Sequence, residues 1–348
     1  MPSNDFEVQI AHSVAEIGRE AWDRLAAGRP FASFGWYRFA ESVLAGDTPL
    51  YIILARRGQP LARATFWLKR RELLPIPARA GRLVVEAVIR RWPLLVCRAP
   101  LANTSGLILP DSVERGPALQ TIARLAQEQA RQHRASFLVF DYLQSQEAAG
   151  GDWPPGFSPA TLPDPGTRLD LAWPTFEAYL KHLSKSMRKD YRRHCNRAAD
   201  LGVEVESRRE VTDLEPALAL IRNVEARHNS PPNPLARAIL EQARRVDATW
   251  ITARIEGRLA GCGLLLGDGR AAFLASLGID YGVRYVYFQL LYRAIRCAIE
   301  DGLDFLRGGS GAYKLKQRLG FHLENDNYVT FSTGNRALRW VGRQLAAG

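Results

Sequence analysis

The sequence has few of the features that assign chemistry quickly. Its 348 residues hold four cysteines, Cys97, Cys195, Cys262 and Cys297, far apart, with no CxxC pair and no metal-type spacing. Thiols so scattered exclude a disulfide framework and predict buried or inert side chains in a reducing compartment. No run of about 18 apolar residues occurs, so no membrane-spanning helix is expected. The opening residues show no basic segment followed by an apolar run, and the chain is expected to be soluble and cytoplasmic. There is no GxSxG elbow, no Cys-His pairing motif and no GxxxxGK(S/T) loop, so serine hydrolysis, thiol chemistry and P-loop nucleotide hydrolysis lack support. Acids are also in short supply, 36 against 47 Lys and Arg.

That imbalance is informative. A net charge of +11 raises the local concentration of anions, whether nucleic acid, phosphorylated cofactor or anionic lipid. Much of it lies in "KHLSKSMRKDYRRHCNR", where seven Lys and Arg stand against one acid, Asp190. At helical spacing Phe176, Leu180, Leu183, Met187 and Tyr191 form an apolar stripe, with Lys181, Lys185, Arg188, Arg192 and Arg193 on a basic one. One amphipathic helix is predicted, capped by Thr175 and ending near Gly202. Its Arg188 and Arg192 are candidate contacts to an anionic substrate.

Length favours two domains, because a single core usually divides beyond roughly 250–300 residues. The sequence also repeats itself. "YIILARRGQPLARATFWL" and "WITARIEGRLAGCGLLL" share a strand, Ala-Arg, a Gly turn, Leu-Ala and a second strand, the pattern of an antiparallel hairpin. Each hairpin follows helical segments and precedes a helix that runs into a strand. This order predicts duplication of one α/β domain with mixed sheets, as residues 1–160 and 161–348, divided in "GGDWPPGFSPATLPDPG". The run "WLKRRELLPIPARAGRLVVEAVIRRWPLLVCR" reads more simply as buried strand and helix than as a lipid-facing surface.

A unit of helices, hairpin, helix and strand ending in Gly320-Phe321 resembles the GNAT acyltransferase fold. Two in tandem resemble the FemAB-like and related CelD/BioF2-like acyltransferases. The stretches "LSKSMRKDYRRHCNRAADLGVEV" and "YFQLLYRAIRCAIEDGLDFLRGGSGAYKLKQRLGF" are the most similar parts, and residues 1–150 are less so. The resemblance implies amide-forming acyl transfer by the second domain. Amine attack on an ester or thioester carbonyl needs a base for the amine proton and a donor for the tetrahedral oxyanion. Three readings stay open: an N-acyltransferase using acyl-CoA or an acyl carrier protein, a tRNA-dependent aminoacyltransferase acting on a cell-wall precursor or small molecule, and a non-catalytic RNA- or membrane-binding module. No tightly bound cofactor is expected. The partners are an anionic acyl donor and an amine acceptor.

In GNAT enzymes a tyrosine often stands four residues before the Gly-Phe pair, and here that place holds Lys316. FemAB-like enzymes resemble this chain in having a lysine there, which makes Lys316 the first candidate for a phosphate, oxyanion or leaving-group contact. A lysine at a site edge is expected to contribute little to stability. Lys314 is a weaker candidate for substrate binding, and Tyr313 is a possible proton donor. The Gly-rich pyrophosphate loop of acetyl-CoA enzymes is not matched, although "LGIDYGVRYVYFQLL" offers Gly282, Arg284 and a helix start near Tyr285 as donor contacts. For the base, Glu225 and His228 stand where a helix breaks into "NSPPNP", and Asp280 lies beside the expected donor cleft.

Overall fold

The computed structural model describes residues 6–72, 79–149, 151–334 and 338. The chain forms two compact units, Met1–Pro165 with Asn325–Gly348, and Gly166–Glu324. The first runs β1 (Glu7–Ala11), α1 (Val14–Ile17), α2 (Arg19–Ala26), α3 (Phe34–Val43), β2 (Thr48–Arg56), β3 (Gln59–Lys69), α4 (Arg79–Arg91), β4 (Leu94–Cys97), β5 (Leu107–Ile108), α5 (Arg115–Gln132), β6 (Phe137–Leu143), α6 (Ser145–Ala149) and β7 (Ser158–Thr161). The second runs β8 (Thr167–Asp170), α7 (Phe176–His182), α8 (Lys185–Asp200), β9 (Glu204–Arg208), α9 (Leu214–Arg227), α10 (Ala236–Gln242), β10 (Asp247–Ile255), β11 (Arg258–Asp268), β12 (Ala271–Ile279), α11 (Val286–Glu300), β13 (Phe305–Arg307), α12 (Tyr313–Arg318) and β14 (His322–Leu323). The chain then returns β15 (Tyr328–Ser332) to the first sheet. Residues 73–78, within the basic and apolar run noted above, lie outside the described residues.

Each unit is built on a mixed sheet. The orders are β1-β2-β3-β4-β6-β15-β7, with β5 on β3, and β14-β8-β13-β12-β11-β10-β9. Neighbours are antiparallel except β4 with β6 and β12 with β13, each joined by a crossover helix, α5 or α11. The repeated hairpins take equivalent places. Both pair a strand of 9 residues with one of 11 and shift register near the turn, between Leu54 and Ala55 or between Ala253 and Arg254. Both turn on two left-handed residues, Arg57 with Gly58 and Glu256 with Gly257, the conformation whose twist suits a two-residue hairpin. The predicted tandem mixed α/β fold is present.

In the second unit α11 buries Val286, Leu290, Leu291, Ala294, Ile295 and Ala298. It approaches β11 at Gly261, where an added Cβ would lie 2.2 Å from Val286 Cγ1. Two expectations change. The basic helix is two helices, because Leu183 is extended and the Ser184 hydroxyl caps a fresh start by accepting from Met187 N at 3.2 Å. A serine side chain that caps a helix competes with continuing one. The described residues after Glu324, assigned from sequence to the second domain, group with the first unit, where β15 pairs with β6 and β7.

The two ends of the second unit are tied together by a buried pair. Arg307 Nε donates to Glu324 at 2.7 Å, and both side chains are nearly solvent-free. Glu324 N donates to Gly166 O at 2.9 Å, and a Cβ on Gly166 would fall 2.3 Å from Glu324 Oε2. Removing one partner of a buried pair costs about 3–5 kcal/mol, because the other charge is left uncompensated. Glu324→Gln is therefore expected to lower unfolding stability by about that amount in urea titrations. A loss within error of zero would show that the pair ties nothing.

Candidate active site

Parallel neighbours that separate leave backbone groups without ladder partners, and the carboxyl ends of such strands are where ligands seat in open α/β sheets. In the second unit β12 and β13 share three register positions, Ala271 with Phe305, Ala272 with Leu306 and Phe273 with Arg307. Past Phe273, β12 runs on to Ile279 against β11, and a register shift leaves Ala275 out of that ladder. Residues 273–277 are only partly buried. Bulges of this kind re-aim a strand and are common beside active sites.

In the first unit the same place is closed. The β4–β6 ladder ends at Cys97 with Phe140, and the next residues, Arg98 and Asp141, form an ion pair at 2.6 Å. Arg98 also holds Glu72 at 2.8 Å, Glu72 lies 3.5 Å from Lys69, and Lys69 reaches Asp47 at 2.8 Å. These five side chains are at most 20% exposed. Burial opposes the charge on Glu72, but Arg98 and Lys69 outweigh it and hold the carboxyl below the usual carboxylate range. Aligning the hairpins and their next ladder makes Arg98 equivalent to Ala275 and Asp141 to Gly309. Where one unit carries a buried ion pair, the other carries two small residues.

The loop after β13 is organised by Lys316. This residue, on α12, is 4% exposed, and its ammonium donates to the carbonyls of Gly308 at 2.7 Å, Gly309 at 3.1 Å and Ser310 at 3.1 Å. Thr167 Oγ1 also donates to Gly309 O at 2.6 Å. Burial pushes the Lys316 ammonium down to about 8, with no carboxylate within ion-pair range among the described residues. The expectation of a lysine at a site edge with little stake in stability is corrected, because its charge faces inward and holds the loop. Tyr313 begins the same short helix half-buried, and Lys314 is exposed on it.

The remaining candidates are placed as follows. Asp280, at the end of β12, accepts from Gly282 N at 2.9 Å and pairs with Arg258 at 2.8 Å, contacts that hold its carboxyl below the usual range. Tyr285 is the left-handed N-cap of α11 with no side-chain capping bond, and Arg284 beside it is exposed. His228 is the exposed C-cap of α9. Glu225 does not orient it by a hydrogen bond; its carboxylate takes Arg222 at 2.6 Å and Asn233 N at 2.8 Å, pinning the loop after the helix. Arg188 donates to the carbonyls of Lys181 and Leu183, joining α7 to α8, and Arg192 reaches Arg188 O at 3.3 Å. Lys185, Lys189, Arg193 and Arg197 remain exposed along α8.

One cluster escaped the sequence reading. His194, read there as part of a basic helix, is 7% exposed, bonds Tyr292 Oη at 3.0 Å through Nδ1 and packs on Phe288 at 3.9 Å between ring centroids. Burial, then the charge of Arg193, holds it below the usual histidine range. Its place between Met187 and Ala198 on the buried face of α8 was the available signal. Cys97, Cys262 and Cys297 are buried and Cys195 partly so, with burial raising the Cys262 thiol to about 12. Among the described residues no group of three His, Cys, Asp or Glu is placed to hold a metal ion, and no helix is long and apolar enough to cross a membrane.

Comparison with known proteins agrees with this geometry. The profile of the FemAB-like family, described as peptidoglycan biosynthesis/recognition, matches residues 13–339. A crystal structure of FemX is 12% identical, covers 96% of this chain and 99% of its own, and superposes with a TM-score of 0.65. A tandem GNAT protein from the clavulanic acid biosynthesis pathway is 14% identical over 94% of this chain and 98% of its own, with a TM-score of 0.54. The C-terminal domain of a putative lysylphosphatidylglycerol synthetase from Agrobacterium fabrum is 12% identical over 96% and 97%, with a TM-score of 0.55. No curated protein sequence matches. At these identities the solved structures establish the fold.

The burial of Lys316 has a measurable pH signature. Its proton leaves near 8 in the folded chain and near 10.5 in a solvated one, so between those values the folded state binds fewer protons than the unfolded state. Stability contributed through this group therefore rises with pH across that window. Lys316→Met leaves three carbonyls without their donor, a loss of about 1–3 kcal/mol near neutral pH. Urea titrations at about pH 7.5 and about pH 9.5 are expected to show the gap between wild type and variant widening at the higher pH. A constant gap would contradict the buried charge.

Proposed function

The chain belongs to the FemAB-like family, and from that membership we propose that its second unit joins an aminoacyl group to the amine of a peptidoglycan-type precursor. Acyl or aminoacyl transfer to an amine is the activity the family and the GNAT fold support. The open separation of β12 from β13, against its ion-filled counterpart in the first unit, is the observation that carries the reading. Backbone groups on the freed side of residues 274–279 supply fixed dipoles for the oxyanion that forms when nitrogen adds to the carbonyl. The new C–N bond then replaces the C–O ester bond. The amine gives up a proton, and the departing alcohol takes one.

Two observations favour an aminoacyl ester of tRNA over acyl-CoA as the donor. Before α11, where GNAT enzymes seat a pyrophosphate, the Gly282 amide is already occupied by the ionised carboxylate of Asp280. A second anion there meets a like charge. Along α8 the exposed Lys185, Lys189, Arg192 and Arg197, beside an Arg193 paired with Asp190 at 2.8 Å, offer a row of cations suited to a polyphosphate backbone. An acyl thioester remains the second reading, supported by the shared GNAT fold.

A donor screen separates them. Purified protein is incubated with an amine-bearing peptidoglycan precursor and either aminoacyl-tRNA pools or acyl-CoA thioesters, and new amide is detected by mass spectrometry. Product is expected from aminoacyl-tRNA, with a rate that falls as salt rises because part of the attraction is to phosphates. Product from CoA thioesters alone would establish the second reading. No product from either donor would refute transfer.

A further inference from the structure

We infer that Lys316 is a positioning residue, whose caged ammonium turns the amides of Gly309, Ser310 and Gly311 outward as a cradle for a phosphoryl group. A planar trans peptide sets its N–H opposite its C=O, and no cis peptide occurs among the described residues. The three carbonyls gathered on Lys316 Nζ belong to the peptide units that carry the N–H groups of residues 309, 310 and 311. With the carbonyls drawn to one point in the interior, those N–H groups face away from it. Among the described residues none of the three has a hydrogen-bond partner, whereas the amide just before them, Gly308 N, is satisfied by Thr167 O at 2.8 Å. They are not first-turn amides of α12, whose N-cap is Ala312.

The loop is held in this form from several sides. Gly309, Gly311 and Ala312 are left-handed, with φ of 67°, 79° and 48°. Gly308 has no room for a side chain, since a Cβ would meet Thr167 Oγ1 at 2.9 Å and Phe321 at 3.0 Å. Successive amides in such a turn make an anion-binding concavity. This one stands at the carboxyl end of β13, beside the point where β12 departs. The buried cation lends it positive potential without touching the ligand, since all three ammonium hydrogens are engaged. A lysine that contacted the anion directly would need at least one of them free.

The inference deepens the proposed transfer by giving its phosphate-bearing substrate a second point of attachment, and it rests on that reading only for the source of the phosphate. The test is therefore a binding measurement that needs no turnover. Full-length protein labelled with ¹⁵N-glycine and ¹⁵N-serine is titrated with pyrophosphate, with a short single-stranded oligoribonucleotide and with a nucleoside diphosphate. Saturating shifts of the Gly309, Ser310 and Gly311 amides are expected with pyrophosphate and with one of the other two, which identifies the substrate that brings the phosphate. Lys316→Met is expected to weaken those shifts at least about tenfold, as loss of a preorganised charged partner does. Thr167→Val, which loosens the Gly309 carbonyl alone, is expected to weaken them less and keeps the test open if the methionine variant folds poorly. Silence of these amides with all three ligands, or shifts confined to α8, would overturn the cradle even in an active enzyme. Shifts without any transfer activity would uphold it.

Discussion

Everything distinctive in the second unit follows from the brevity of one ladder. β12 and β13 hold together over three residues and then part, so a twisted sheet that would otherwise be continuous opens at its parallel pair. Backbone polar groups freed in this way find partners in another strand, side chains, water or a ligand. The first unit fills the place with side chains. Its ladder ends one residue before Arg98 and Asp141, whose ion pair extends through Glu72 and Lys69 to Asp47. The second unit has Ala275 and Gly309 at those two places, and among the described residues no ion pair bridges them.

Buried charge serves opposite ends in the two units. In the first, two cations and three carboxylates fill the seam; Arg98 and Lys69 offset the burial of Glu72, while burial still raises the Asp141 carboxyl above the usual range. In the second, Lys316 has carbonyl dipoles in place of a carboxylate. A neutral cage leaves the positive potential uncancelled, and the cation's field extends past the loop to whatever binds there. The same residue is therefore both a brace for the chain after β13 and a source of attraction for an anion. Thr167, at the start of the unit, supports the same loop from the neighbouring strand.

The regular parts of this architecture were legible because they obey local rules. Glycine after Arg57 and after Glu256 marks two tight turns, alternating apolar runs mark the strands, and the helix-to-strand order around α5 and α11 marks the crossovers. What could not be read depends on neighbours distant in sequence. Apolar spacing through Leu183 favours one long helix, but Ser184 and Arg188 end α7 and start α8 by capturing its groups. β15 pairs with strands more than a hundred residues earlier, which no local period records. Of the candidate residues, Lys316 was found by its spacing to Gly320-Phe321, yet its inward direction is a tertiary fact. Asp280 was seen as a carboxylate near the donor side, while its capture of Gly282 N changes what that turn can bind. His194 was masked by the cations around it.

The central claim is that the open seam of the second unit is where transfer occurs. It is tested most directly by moving the first unit's closure into it, as the double variant Ala275→Arg with Gly309→Asp. If the seam is the site, the introduced pair fills it, and turnover with the true donor falls by at least about a hundredfold. Because Gly309 sits at a φ of 67°, which Asp141 does not share, the circular-dichroism unfolding midpoint is expected to fall by an amount equivalent to about 1–2 kcal/mol while the folded spectrum is kept. A folded double variant that turns over at the wild-type rate would contradict the account.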